Sequence, residues 1–168
     1  MTSRIGVSFG LVKRSCYLHS SALSGDLQTV NASIWQGISL DEANELGRTA
    51  LMFAAFNGLN EVINLLIENC AELNLENDQG RTHLMFTTSG PFPETISQLL
   101  VNGADVNCSD SVEEWTPLMY AAAEGNLKII ELLLEYGADA SLEDKDGDRA
   151  IDFASGSDHT NMETRREQ

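Results

Sequence analysis

The chain is 168 residues long, 42% hydrophobic and 21% charged, a composition that describes one folded domain and not a disordered polymer. Its 26 acidic against 10 basic side chains leave a net charge of −16, a field that repels phosphates and argues against direct nucleic-acid binding. Cys16, Cys70 and Cys108 form no spaced pair, so they predict reduced thiols in a cytoplasmic setting and no disulfide frame.

Residues 1–14 carry Arg4, Lys13 and Arg14 and no acid. The apolar run over 5–12 is too short to span a membrane and is followed by no small-residue cleavage pattern. It predicts a flexible leader over 1–14, with a weak targeting sequence as the alternative, and no membrane association. Beyond it the sequence repeats. Gly47-Arg48-Thr49-Ala50-Leu51-Met52 returns 33 residues later as Gly80-Arg81-Thr82-His83-Leu84-Met85. Trp115-Thr116-Pro117-Leu118-Met119 follows at 34, and Asp148-Arg149-Ala150-Ile151 at 33. A second marker keeps step: Cys70-Ala71-Glu72-Leu73-Asn74, Gly103-Ala104-Asp105-Val106-Asn107, Gly137-Ala138-Asp139-Ala140-Ser141. Two markers sharing one period predict a repeat architecture, all-α, built from helix-turn-helix units joined by hairpin-like loops.

Each unit reads in the same order. Thr49, Thr82 and Thr116 stand where a helix N-cap is wanted, and Pro117 follows at the position where a missing N–H costs nothing. The small pairs Ala54-Ala55 and Ala121-Ala122 let the first helix pack closely. The second helix carries Val62, Ile63, Leu66 and Ile67 in one unit and Ile129, Ile130, Leu133 and Leu134 in another, at helical spacing. Gly103 and Gly137 then supply a left-handed terminating residue, and Cys70 in the equivalent place predicts local strain or a different cap.

"EWTPLMYAAAEGNLKIIELLLEYGAD" over 114–139 and "GRTALMFAAFNGLNEVINLLIENCAELN" over 47–74 resemble the ankyrin repeat, and the resemblance extends over about 15–160. It implies an ankyrin-repeat solenoid with repeats at about 15–46, 47–79, 80–113 and 114–146, a C-terminal cap at 147–160 and a polar tail at 161–168. Met52, Met85 and Met119 replace the histidine usual in the family and fill its place by packing. His83 replaces the proline of the repeat.

The resemblance also implies function: ankyrin repeats hold proteins by their hairpin tips and concave first-helix face. Position by position this gives Leu46, Arg48, Phe56 and Asn57, then Asp78 and Arg81. Asp110, Val112, Glu113, Trp115 and Glu124 follow, with Lys145 and Asp146 last. The set is acidic with a few large or cationic residues in it. It predicts a monomer that serves as adaptor, inhibitor or chaperone-like partner of another protein with a basic surface, with Trp115 either its anchor or packed along its own hairpin. An acidic nucleic-acid mimic that inhibits a basic protein is the alternative.

Two units are irregular. Ser89-Gly90-Pro91-Phe92-Pro93 predicts an early end to one first helix and a proline start to the next helix. The loop between Asn107 and Thr116 has one residue more than its neighbour, with Glu114 where a Gly is usual.

No catalytic residue, metal site or cofactor is expected. Gly6-Val7-Ser8-Phe9-Gly10 matches a nucleophile elbow by letter, but lacks the strand upstream that such an elbow needs. Asp144, Asp146 and Asp148 lie near Gly147 as in a calcium loop, yet the register puts Leu142 and Phe153 at ligand positions. Cys16 and His19 have no second pair to close a zinc site.

Overall fold

The computed structural model describes residues 5–155, with side chains over 15–154. The last residues of the expected cap and the whole of the polar tail at 161–168 lie outside the described residues. Among those described, the chain forms α1 (Ile5–Ser24), α2 (Leu27–Trp35), α3 (Ala50–Phe56), α4 (Asn60–Glu68), α5 (His83–Thr88), α6 (Pro93–Val101), α7 (Pro117–Ala123), α8 (Leu127–Glu135) and α9 (Ala150–Ser155). The first helices of successive units stack in the order α1, α3, α5, α7, α9, and the second helices in the order α2, α4, α6, α8. This is the all-α solenoid that the repeat predicts.

One expectation needs correction. Residues 5–14 are not a flexible leader, because α1 already begins at Ile5. Ile5, Phe9, Val12 and Cys16 recur at helical spacing, a period that the charge imbalance of the segment obscures.

The core forms between the two helix layers. Val62, Ile63 and Leu66 of α4, Ile96 and Leu99 of α6, and Ile129 and Leu133 of α8 are fully buried. Ala54-Ala55 and Ala121-Ala122 are buried against the neighbouring first helices. In the third unit Thr87 and Thr88 stand in their place. Their buried hydroxyls donate to Leu84 O at 2.7 Å and Met85 O at 2.9 Å, so neither is left unsatisfied. Met52, Met85 and Met119 are buried, as a packing role requires. Leu134 stays exposed, whereas its counterpart Leu100 is covered by the following helix. Among the described residues α8 has no second helix after it.

Threonine side chains cap the N-termini of α3 and α7 but not that of α5. Thr49 Oγ1 accepts from Met52 N and Thr116 Oγ1 from Met119 N, whereas Thr82 Oγ1 instead meets the Cys108 sulfur at 3.4 Å. The break at 89–93 follows from its prolines: α5 stops at Thr88, α6 starts on Pro93, and the Phe92 ring is pressed against Gly58 and Gly90. Cys70 has φ +65°, the left-handed conformation that Gly103 and Gly137 adopt at the equivalent positions. Its side chain is exposed, so Cys70→Gly removes strain without losing packing. The gain is opposed by the greater freedom of glycine in the unfolded chain, and the net expectation is a stabilisation of about 0.5 kcal/mol. A rise in the urea midpoint at unchanged slope checks it.

Candidate protein-interaction surface

The hairpins between units are built on one repeated device. Asn44, Asn77, Asp110 and Asp144 each open a hairpin, and the Oδ1 of each accepts backbone N–H groups from two residues of its own turn. The turns close through Asn44 N to Arg48 O, Asn77 N to Arg81 O and Asp144 N to Asp148 O, each four residues on. Asp110 N instead reaches Trp115 O, five residues on, which locates the inserted residue within this hairpin. Glu114 takes φ +61° to complete it. Neighbouring tips are tied by single backbone bonds, Asp78 N to Leu46 O, Ser111 N to Gln79 O and Lys145 N to Glu113 O. Glycine is required at 47, where an added Cβ would lie 2.6 Å from Asp78 N.

A column of rings runs along the first helices. Phe53, Phe86, Tyr120 and Phe153 are spaced by 33, 34 and 33 residues, one per unit. Hairpin side chains interleave with them. The guanidinium of Arg48 lies 5.4 Å from the Phe86 centroid and that of Arg81 5.3 Å from Tyr120. Trp115 packs edge-on to Tyr120 at 5.3 Å and to Phe153 at 4.7 Å. The two arginine contacts and the Trp115–Phe153 contact each join one unit to the next, and a cation over a ring contributes about 0.5–2 kcal/mol according to its desolvation. The composition hides this ladder. The period of the aromatic residues, read beside that of the arginines, is the signal that finds it.

The predicted binding residues divide into two groups on this framework. Leu46, Phe56 and Val112 are exposed, at 56%, 59% and 47% of their surface, with Asn57, Asp78, Glu124 and Asp146 also exposed. Lys145 is exposed too, but it is held by Glu113 at 2.6 Å, and that hydrogen bond raises its pKa. Asp110, expected at a tip, is buried instead. Its Oδ1 accepts from Val112 N at 2.9 Å and Glu113 N at 2.8 Å, while Oδ2 accepts from the Tyr120 hydroxyl and lies 3.9 Å from Arg81 Nε. An aspartate that organises its own turn has no oxygen to spare for a partner. Burial, reinforced by the Asp110 hydrogen bond, pushes the Tyr120 phenol up. Trp115 is half-buried, and its indole N–H donates to Asp144 Oδ2 at 3.0 Å, which favours the packed of its two expected settings. Its large surface is therefore committed to the solenoid.

Among the described residues no group of His, Cys, Asp and Glu side chains is placed to hold a metal ion. Burial pushes the Cys108 thiol up to about 11, away from nucleophile behaviour. Among the described residues no helix is long and apolar enough to cross a membrane.

Stacked helix pairs with tied hairpin tips define a helical repeat solenoid. The family described as ankyrin repeats (3 copies) matches residues 18–92 and 88–163, and the chain belongs to the ankyrin-repeat family. Ankyrin repeats are generally protein–protein interaction modules. The comparison with curated proteins finds no match.

Proposed function

We propose that this chain is a non-catalytic adaptor or inhibitor that binds a protein with a basic surface through its hairpin tips and first-helix face. The observation that carries the reading is the setting of Leu46, Phe56 and Val112, large apolar side chains left exposed among the exposed carboxylates of Glu45, Asp78 and Asp146. Apolar anchors supply affinity by leaving water. A single-sign rim speeds the encounter with an oppositely charged partner and disfavours acidic ones.

Affinity capture from a lysate with the full chain identifies the partner, run beside Leu46→Ser/Phe56→Ser and Glu45→Gln/Asp78→Asn/Asp146→Asn. The expected partner is lost from the first variant. From the second it is retained, with an association rate lower by about tenfold at low salt. Raising salt to about 0.5 M is expected to erase that difference, because the Debye length then falls well below 8 Å. A partner that binds both variants as it binds the parent, or whose association ignores salt, contradicts the proposal.

A further inference from the structure

The hairpin ladder pairs a donor on each hairpin with an acceptor on the next hairpin, and one rung is incomplete. Arg48, Arg81 and Trp115 are equivalent positions 33 and 34 residues apart, as are Asn77, Asp110 and Asp144 in the hairpins that follow them. Arg81 has Asp110 Oδ2 at 3.9 Å, and Trp115 Nε1 has Asp144 Oδ2 at 3.0 Å. The corresponding residue for Arg48 is Asn77, an amide. Asn77 uses its Oδ1 on Gln79 N and Arg81 N, as Asp110 uses its Oδ1 on Val112 N and Glu113 N. The atom left in the place of Asp110 Oδ2 is therefore Asn77 Nδ2, a second donor where a carboxylate oxygen would stand. The two hairpins are in contact here: Gly47, next to Arg48, lies against the backbone of Asn77 and Asp78. Among the described residues no carboxylate comes within ion-pair distance of Arg48, which sets it apart from Arg81, although the buried Nε of each lacks a hydrogen-bond partner. In a chain with 26 acidic side chains, a guanidinium stacked on Phe86 with no carboxylate of its own chain beside it can take one from outside.

We propose that Arg48, with the Asn77 side-chain amide, receives an aspartate or glutamate side chain of the protein partner. The site supplies for a visiting carboxylate what Arg81 supplies for Asp110, with Leu46 in the same turn offering an apolar neighbour. The surrounding negative rim selects against acid-rich ligands, so the visiting carboxylate stands alone in a basic and apolar segment. This rests on the protein-binding role proposed above and adds the residue type that sets its register.

The test uses the full chain labelled with nitrogen-15 and two capped peptides, acetyl-Lys-Leu-Glu-Leu-Lys-amide and its Gln counterpart. The Glu peptide is expected to shift the Arg48 Nε–Hε resonance saturably and to leave that of Arg81 in place. The Gln peptide is expected to bind about tenfold more weakly, the loss of one charge-assisted pair. Asn77→Asp, which gives Arg48 an internal carboxylate, is expected to lower Glu-peptide affinity about tenfold without lowering the melting temperature. Equal binding of the two peptides, unchanged affinity in Asn77→Asp, or no Arg48 shift at about 10 mM Glu peptide overturns the proposal. So does tighter binding of acetyl-Lys-Leu-Leu with a free C-terminus, which would assign the site to a chain end. The Gln peptide reads the basic-partner role by itself: if it binds in a salt-sensitive way while Arg48 is silent, only the carboxylate site has failed.

Discussion

Trp115→Ala is expected to lower the unfolding free energy by about 3 kcal/mol and to uncouple the C-terminal end of the solenoid before the rest. The indole is half-buried, so the figure sits at the lower end of the range for removing a large aromatic side chain from a core. Three losses contribute. The ring leaves Tyr120 and Phe153, which it contacts edge-on at 5.3 and 4.7 Å. Asp144 Oδ2 loses its donor while Asp144 stays buried and its Oδ1 still closes the last hairpin. The interface between α7 and α9 loses the side chain that spans it, and in a repeat array nearest-neighbour interfaces carry the cooperativity. Trp115→Phe keeps most of the ring contact and loses only the N–H, so it is expected to cost about 1 kcal/mol. Urea unfolding followed by circular dichroism gives the totals. Amide hydrogen exchange locates the loss, with protection in α9 and α8 falling first. Uniform loss of protection along the chain would refute a role confined to this interface.

The features carried by the period were legible in the sequence, and those carried by one position's environment were not. The markers at Thr49, Thr82 and Thr116 and at Cys70, Gly103 and Gly137 place the helix pairs, because caps and left-handed terminators are local demands of the backbone. Cys70 was legible as strained for the same reason. Asp110 was not legible as buried. A hairpin-tip aspartate with neighbours Ser111 and Val112 reads as a solvated turn, and only the folded chain brings Tyr120 and Arg81 onto its second oxygen. Trp115 was ambiguous in a related way. Its residue type favours binding hot spots, but its partner Phe153 lies in the following unit. Residues 5–14 were read through their charge and not their spacing, which hid the helix that begins at Ile5. Tertiary contacts between units decide such cases, and they depend on two positions at once.

His83 makes the solenoid sensitive to acid, and His83→Pro is expected to remove that sensitivity. The imidazole is buried, its Nε2 has no hydrogen-bond partner, and burial lowers its pKa from 6.5 to about 3. It also opens α5, where the positive end of the helix dipole further disfavours a cation. The folded pKa lies below the unfolded value, so the unfolded chain takes up the proton first. Stability is complete above the unfolded pKa of 6.5 and is lost as pH falls toward about 3. The slope in that window is about 1.4 kcal/mol per pH unit, which makes the expected loss about 2 kcal/mol at pH 5. Proline fits the position. Thr82 has φ −87° and ψ 164°, nearly the values of Thr116 ahead of Pro117, and the first residue of a helix needs no N–H. The substitution removes an unpaired polar atom from the core and restricts the unfolded chain. Together these offset part of the volume lost and leave the variant about as stable as the parent at pH 7.5. Carboxylates titrate in both proteins, so the difference between them isolates the histidine. Urea midpoints measured at pH 7.5 and pH 5 are expected to diverge, with the proline variant ahead by about 2 kcal/mol at the lower pH. Parallel pH profiles would mean that His83 is protonated within the fold and that an acceptor reaches Nε2.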